Sequence, residues 1–357
     1  MKEKELDELL DLSESYQVDE QVNKKIKKGM IKNINIRIYK ILIVIALIVS
    51  GLWIGIPTVQ KYINYNPKNE KNISDNDNGN QEVDEYSSFK VLMQTYVGLN
   101  FPGIDYISSK EEDNGGGSYT IYAKFHEIGD WLGMDGTYNS VWKINQSKID
   151  IEIEDNYILS RIAGEYKGLN GGDNTYYELT ESKIQDIQDL PDSASLNVSI
   201  SFNQNKNATQ VIEFIKKYNT SFFSWIALKS IDEKAIAEGM SLHKTEGYDL
   251  TDEAKEKYPN LYLPNNDELT GDILLQNYLS TLKLLIDHKD FLKTMNSEYL
   301  ECSASSLQKR YDDVKSSGLQ CIGIKGWVKK KDLLQMIEKD GINCIGIADV
   351  KLSSLQK

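Results

Sequence analysis

The sequence predicts an α/β (α+β) body with a mixed sheet and a carboxy-terminal β-α-β unit, attached to a single transmembrane helix. Three observations carry this expectation. One uninterrupted apolar run, ILIVIALIVSGLWIGIPTV, occupies Ile41–Val59 between hydrophilic sequence on both sides. From residue 87 onward, segments with the helical period alternate with segments of the strand period. Near the end, Gln320-Cys321-Ile322-Gly323-Ile324 and Asn343-Cys344-Ile345-Gly346-Ile347 repeat one another around a helical stretch.

Residues 1–40 form the first segment. Leu6, Leu9, Leu10 and Tyr16 recur at roughly helical intervals among acidic residues, which permits a short amphipathic helix. Alone in water a helix of under about 12–15 residues is weakly stable, so this one orders against a partner or stays unfolded. A docking peptide and a disordered tail fit the periodicity equally well.

The run at 41–59 is long enough to cross a bilayer. At about 1.5 Å per residue its nineteen uncharged positions cover roughly the 30 Å of hydrocarbon. Lys24, Lys25, Lys27, Lys28, Lys32, Arg37 and Lys40 crowd the near side, whereas Lys61, Lys68 and Lys71 are diluted by carboxylates beyond it. Cationic flanks stay cytoplasmic, which puts the amino terminus inside and the rest of the chain outside the cell membrane. A cleaved signal peptide fits less well, because its charged region and apolar core are usually shorter and no small-x-small cleavage site follows. Trp53 suits an interfacial anchor near the outer end.

Residues 60–86 are rich in Asn, Asp, Glu and Lys and read as a linker. A first extracytoplasmic unit is expected over 87–192. Phe89, Leu92, Met93 and Val97 mark one face of a helix over 87–99, and strands are expected over 118–125 and 140–154. Gly115–Gly117 and Gly171–Gly172 mark turns, since neither follows a strand and opens a helix as a phosphate loop does.

A second unit is expected over 193–357. Residues 195–202 alternate as a strand, 208–218 read as a helix, and 221–229 form a strand-like run around Trp225. Residues 273–292 carry the strongest helical stripe, and 305–316 read as another helix. The repeated Cys-Ile-Gly-Ile segments and the helix at 329–339 read as β-α-β with parallel strands, the glycines allowing close backbone packing.

The chain carries a net charge of −13. Residues 1–40 hold nine basic and eight acidic side chains, which leaves 32 basic and 46 acidic beyond and a charge of −14 there. Such a surface repels phosphate backbones, so no nucleic acid partner is expected. Cys302, Cys321 and Cys344 are odd in number and match no zinc spacing; Cys321 and Cys344 read as small buried hydrophobes, with a bridge between them the lesser alternative. His126, His243 and His288 stand apart from other ligand types, and Gly116-Gly117-Ser118-Tyr119-Thr120 fails the serine-hydrolase pattern at its last position. The Asp-Asn run at 74–85 lacks the first Asp, the eighth-place apolar residue and the flanking helices of a calcium loop. No enzyme, metal site or cofactor is therefore expected.

Two regions resemble a known family. The basic stretch Lys24–Lys40, the apolar run and Tyr62-Ile63-Asn64-Tyr65-Asn66-Pro67 are similar to the amino-terminal module, with its Tyr-Asn-Pro ending, of the membrane-anchored sigma factor regulators of Gram-positive bacteria. Val198-Ser199-Ile200-Ser201-Phe202, Trp225, Gly323-Ile324-Lys325-Gly326, Leu333-Leu334 and Ile347-Ala348-Asp349-Val350 resemble its carboxy-terminal module. The resemblance implies an anti-sigma factor that holds an extracytoplasmic-function sigma factor through its cytoplasmic segment, while the outer part responds to an exported protein or envelope ligand. Residues 1–40 contain no His or Cys, unlike the zinc-type anti-sigma domain, which leaves a short peptide to make the contact. Leu6, Leu9, Leu10 and Tyr16 are the candidate partner-binding residues, apolar anchors for a groove with acids beside them for a basic rim. A bitopic envelope scaffold for division or wall synthesis is the alternative with the same topology.

Overall fold

The computed structural model describes residue 28 and residues 64–74, 84–128, 137–145, 147–153, 178–229, 238–242, 248–295 and 302–352. Lys61–Lys357 is one compact unit, where the sequence suggests two. A single buried apolar cluster explains this, since it includes Phe89, Tyr96 and Trp142 from one expected unit and Ile200, Leu282 and Phe291 from the other. Among the described residues no helix is long and apolar enough to cross a membrane. The run at 41–59 lies outside them.

Helix α1 (Ser87–Asn100) opens the body and buries Phe89, Leu92, Met93, Tyr96 and Val97. A meander follows: β1 (Ile104–Gly115), β2 (Ser118–Glu127), β3 (Thr137–Asn145) and β4 (Lys148–Ile153), each antiparallel to its neighbour. Its inner face carries Tyr119, Ile121, Ala123, Phe125, Trp142 and Ile144, the strand alternation expected for a sheet with one covered face. The expected single strand over 140–154 is in fact a hairpin, turned at Ser147 with φ 59°. Its two arms are both apolar-alternating and the turn has neither Gly nor Pro, which hid the reversal.

The second sheet has the order β7-β6-β8-β5-β9. It comprises β5 (Ala194–Lys206), β6 (Phe222–Leu228), β7 (Gly239–Ser241), β8 (Cys321–Lys329) and β9 (Ile342–Leu352). The expected mixed sheet is corrected here, because every pairing is antiparallel. β8 and β9 do run parallel, joined by a helix, but β5 lies between them and bonds to both. β5 and β6 are likewise parallel, joined by a helix and split by β8. Two interleaved, split β-α-β units make this the ferredoxin-like arrangement. Parallel neighbours are not needed because each parallel pair has an antiparallel strand of the other unit to bond.

α2 (Glu181–Asp189) precedes β5, and α3 (Ala208–Lys217) connects β5 to β6. α3 begins at a capping box, Asn207 with Gln210, and ends in Lys216 and Lys217, which suit the negative end of its dipole. α4 (Asp252–Lys257), α5 (Gly271–Asp287), α6 (Lys289–Met295) and α7 (Ala304–Ser317) lie between β7 and β8, and α8 (Lys330–Lys339) between β8 and β9. The helix expected over 273–292 is broken at His288, whose φ −105° and ψ 62° end α5. The break turns Phe291 into the core while His288 points to Glu70.

Alternation along β5 sorts the layers. Leu196, Val198, Ile200 and Phe202 face the helices, with Phe202 edge-on to Phe214 of α3 at 5.2 Å between ring centres. Asn197, Ser199 and Ser201 face the other way and are buried too. There Asn197 donates to Glu127 of β2 at 2.9 Å and Trp225 Nε1 to the Gly98 carbonyl of α1 at 3.1 Å. Gly326 on β8 lets β6 approach closely, since a Cβ there would stand 2.2 Å from the Phe222 carbonyl oxygen. Cys302 and Cys321 are buried and Cys344 half-buried, and no disulfide joins them among the described residues.

A buried ion pair joins α7 to the residue before β7: Arg310 Nη2 donates to Glu238 Oε1 at 2.5 Å, the side chains 7% and 1% exposed. Removing one partner strands the other charge out of water. Arg310→Met is expected to lower unfolding free energy by about 3–5 kcal/mol, with much of the loss recovered in Arg310→Met/Glu238→Gln. Gly326→Ala is expected to cost about 2–3 kcal/mol through overpacking against β6. Both follow from denaturant unfolding of purified protein, and wild-type midpoints would contradict them.

Candidate functional site

Leu6, Leu9, Leu10 and Tyr16 lie outside the described residues. The described part of the stretch expected to be a linker is instead fastened to the body, and it contains the Tyr-Asn-Pro motif. Tyr65 and Ile73 are core residues, 7% and 1% exposed. Their burial explains why this polar stretch holds its place: two large side chains anchor it while its polar residues find fixed partners.

Local chemistry sets the first turn. The Asn66 side chain accepts from the Lys68 N–H at 3.0 Å and Pro67 takes the first position of a short 3-10 turn, Pro67–Asn69. An Asn cap followed by Pro is a favoured way to start such a turn. Tyr65 then points inward, edge-on to Phe291 of α6 with ring centres 6.4 Å apart. Its N–H donates to Ser147 Oγ at 2.6 Å, and Asn64 Nδ2 donates to the Gly116 carbonyl at 3.2 Å. One dipeptide thereby ties together the β1–β2 turn, the β3–β4 turn and α6.

Further along, Glu70 Oε2 lies 2.6 Å from His288 Nδ1, with side chains 11% and 17% exposed. Ser88 Oγ of α1 accepts from the N–H groups of Ile73 and Ser74 at 3.3 and 3.2 Å. Thr251, the cap of α4, donates through Oγ1 to the Asn72 carbonyl at 3.0 Å, and its N–H donates to the Ile73 carbonyl. Ser74 makes an antiparallel bridge to Leu250.

Beneath this segment is a cavity of about 250 Å³. Asn64, Tyr65, Asn66, Asn69 and Glu70 line it from the segment, Ser147 from the β3–β4 turn, and Asp290, Lys293 and Thr294 from α6. Burial, then the charge of Glu70, holds the Tyr65 phenol well above the ordinary tyrosine value, so it stays neutral. Its hydroxyl is buried and has no partner in hydrogen-bonding geometry. Among the described residues no group of three or more His, Cys, Asp or Glu side chains is placed to hold a metal ion.

Sequence reasoning singled out Tyr65, Asn66 and Pro67 only through the family resemblance, and missed their partners. The Asn-Pro pair was the available local signal, as a cap followed by a turn. Glu70 and His288 stand 218 positions apart, so no spacing rule connects them.

Tyr65→Ala is expected to remove about 3–5 kcal/mol, the usual cost of a buried ring, and to free the segment it anchors. In hydrogen exchange the amides of Ile73 and Ser74 should lose protection more than those of β5. Equal loss in both would mean the segment is no separate fastening.

Residues 187–347 match the family described as sigma factor regulator C-terminal. The match begins inside α2 and ends in β9, so it takes in both split β-α-β units and the helices inserted between them. Comparison with curated proteins and with solved structures finds no match. From α2 to β9, then, the chain is similar to the carboxy-terminal module of the sigma factor regulators.

Proposed function

We propose that the protein is a single-pass membrane anti-sigma factor. In this reading residues 1–40 bind and inhibit an extracytoplasmic-function sigma factor in the cytoplasm, residues 41–59 span the cell membrane, and the body beyond modulates inhibition from outside. The match of residues 187–347 to the sigma factor regulators carries the reading. The apolar run and the basic flank before it support the topology. No catalytic step is involved; the output is a binding equilibrium.

The fastening of 64–74 supports the modulating role. A body joined to a span through a slack linker transmits little, because the linker absorbs any rearrangement. Here the chain nearest the apolar run is bonded into α1, α4, α6 and two hairpin turns. A change of packing in the body therefore moves residue 64 with it.

Inside, Leu6, Leu9, Leu10 and Tyr16 serve as anchors in a groove of the sigma factor, with the neighbouring carboxylates meeting its basic rim. Alanine at all four positions is expected to reduce recovery of the sigma factor with the full chain by at least tenfold and to raise its regulon in a reporter strain. Unchanged recovery and unchanged transcription would overturn the proposal.

A further inference from the structure

The cavity beneath residues 64–70 has more polar groups than the fold uses. Asn64, Asn66, Ser147, Thr294 and Glu70 each spend a side-chain atom on a protein partner: the Gly116 carbonyl, the Lys68 N–H, the Tyr65 N–H, the Asp290 carbonyl and His288. Asn69, Asp290 and Lys293 differ. Among the described residues their side chains make no hydrogen bond or ion pair, although all three line the same space. The buried Tyr65 hydroxyl in the same wall lies near the Glu70 carboxylate but meets no partner in good hydrogen-bonding geometry.

These groups define a ligand by subtraction. A carboxylate and an ammonium lie one helical turn apart on α6, at Asp290 and Lys293, close enough to grip opposite charges on one small molecule. Their charges cancel, which disfavours a polyanion or a polycation. The lining offers amides and hydroxyls rather than an apolar slot, which disfavours an acyl chain. About 250 Å³ is below the usual range of roughly 300–1,000 Å³ for drug-sized ligands, and at about 30 Å³ per water it holds some eight waters.

We infer that this cavity binds a small zwitterion, a free amino acid or short peptide, with its ammonium on Asp290 and its carboxylate on Lys293. Asn69 and the polar wall hold the amide or side chain between them. Occupancy braces the segment 64–70 against α6, so the ligand acts on the chain element nearest the apolar run. This deepens the reading of the body as a modulator and rests on it for its biological meaning, though not for its chemistry.

The test is calorimetric titration of the purified full chain in detergent micelles with alanyl-alanine, in both configurations, and with N-acetyl-alanyl-alanine amide. The free dipeptide should give saturable heat and the blocked one none. Asp290→Asn and Lys293→Met should each weaken the free dipeptide at least tenfold, with unfolding midpoints of the unliganded variants unchanged because both side chains are exposed. Lys331→Met, on the distant helix α8, should bind as wild type. No heat from the free dipeptide, equal heat from the blocked one, or wild-type affinity in both cavity variants would overturn the inference. Sigma factor recovery is measured separately, so loss of dipeptide binding leaves the anti-sigma reading standing, and failure of sigma recovery leaves the cavity result standing.

Discussion

Strand β5 is the constraint on which the rest of the body depends. It bonds to β8 on one side and β9 on the other, and it is buried on both faces. A strand in that position can satisfy its backbone only within the sheet, and its two faces must then meet two different layers. Leu196, Val198, Ile200 and Phe202 meet the apolar helices, whereas Asn197, Ser199 and Ser201 meet the layer built from α1 and the β1–β4 meander. A shift of one residue would bury the serines against Phe214 and send Leu196, Val198 and Ile200 towards Glu127. Register, layer order and the union of the two expected units follow from this one alternation.

The polar layer supplies specificity more than stability. Hydrogen bonds such as Asn197 to Glu127 and Trp225 to Gly98 contribute about 0.5–1.5 kcal/mol net each, less than the buried rings nearby. Misplaced, the same groups would be left unpaired out of water at greater cost. The buried Arg310 and Glu238 act in the same sense, since one geometry pairs their charges and others strand a charge.

Much of this body is legible in the sequence because most of its elements are locally declared. Helical periodicity announces α3, α5 and α7, alternation announces β2 and β5, and the repeated Cys-Ile-Gly-Ile segments announce β8 and β9. What the sequence hides is non-local. The parallel strands β8 and β9 look like neighbours because a helix joins them, and only the insertion of β5 shows that they are not. β1 escapes notice because its second half, from Ser108, is polar and half-exposed or exposed. The site is hidden for a related reason: Asn, Glu and Lys between 64 and 74 have the composition of a linker, and their role depends on Phe291, Ser88 and Thr251, which come from distant parts of the chain.

The fastening at Tyr65 also decides how the body bears load. A strand end pulled along a sheet edge peels one bond at a time, but residues 64–74 cross several elements and are held by two buried side chains and by bonds spread along their length. Traction on residue 64 is therefore shared in shear among α1, α4, α6 and two hairpin turns. The attachment works as a rivet rather than a hinge. Such a joint is stiff until it fails, and it fails all at once, so traction on residue 64 meets a threshold and no gradual yielding.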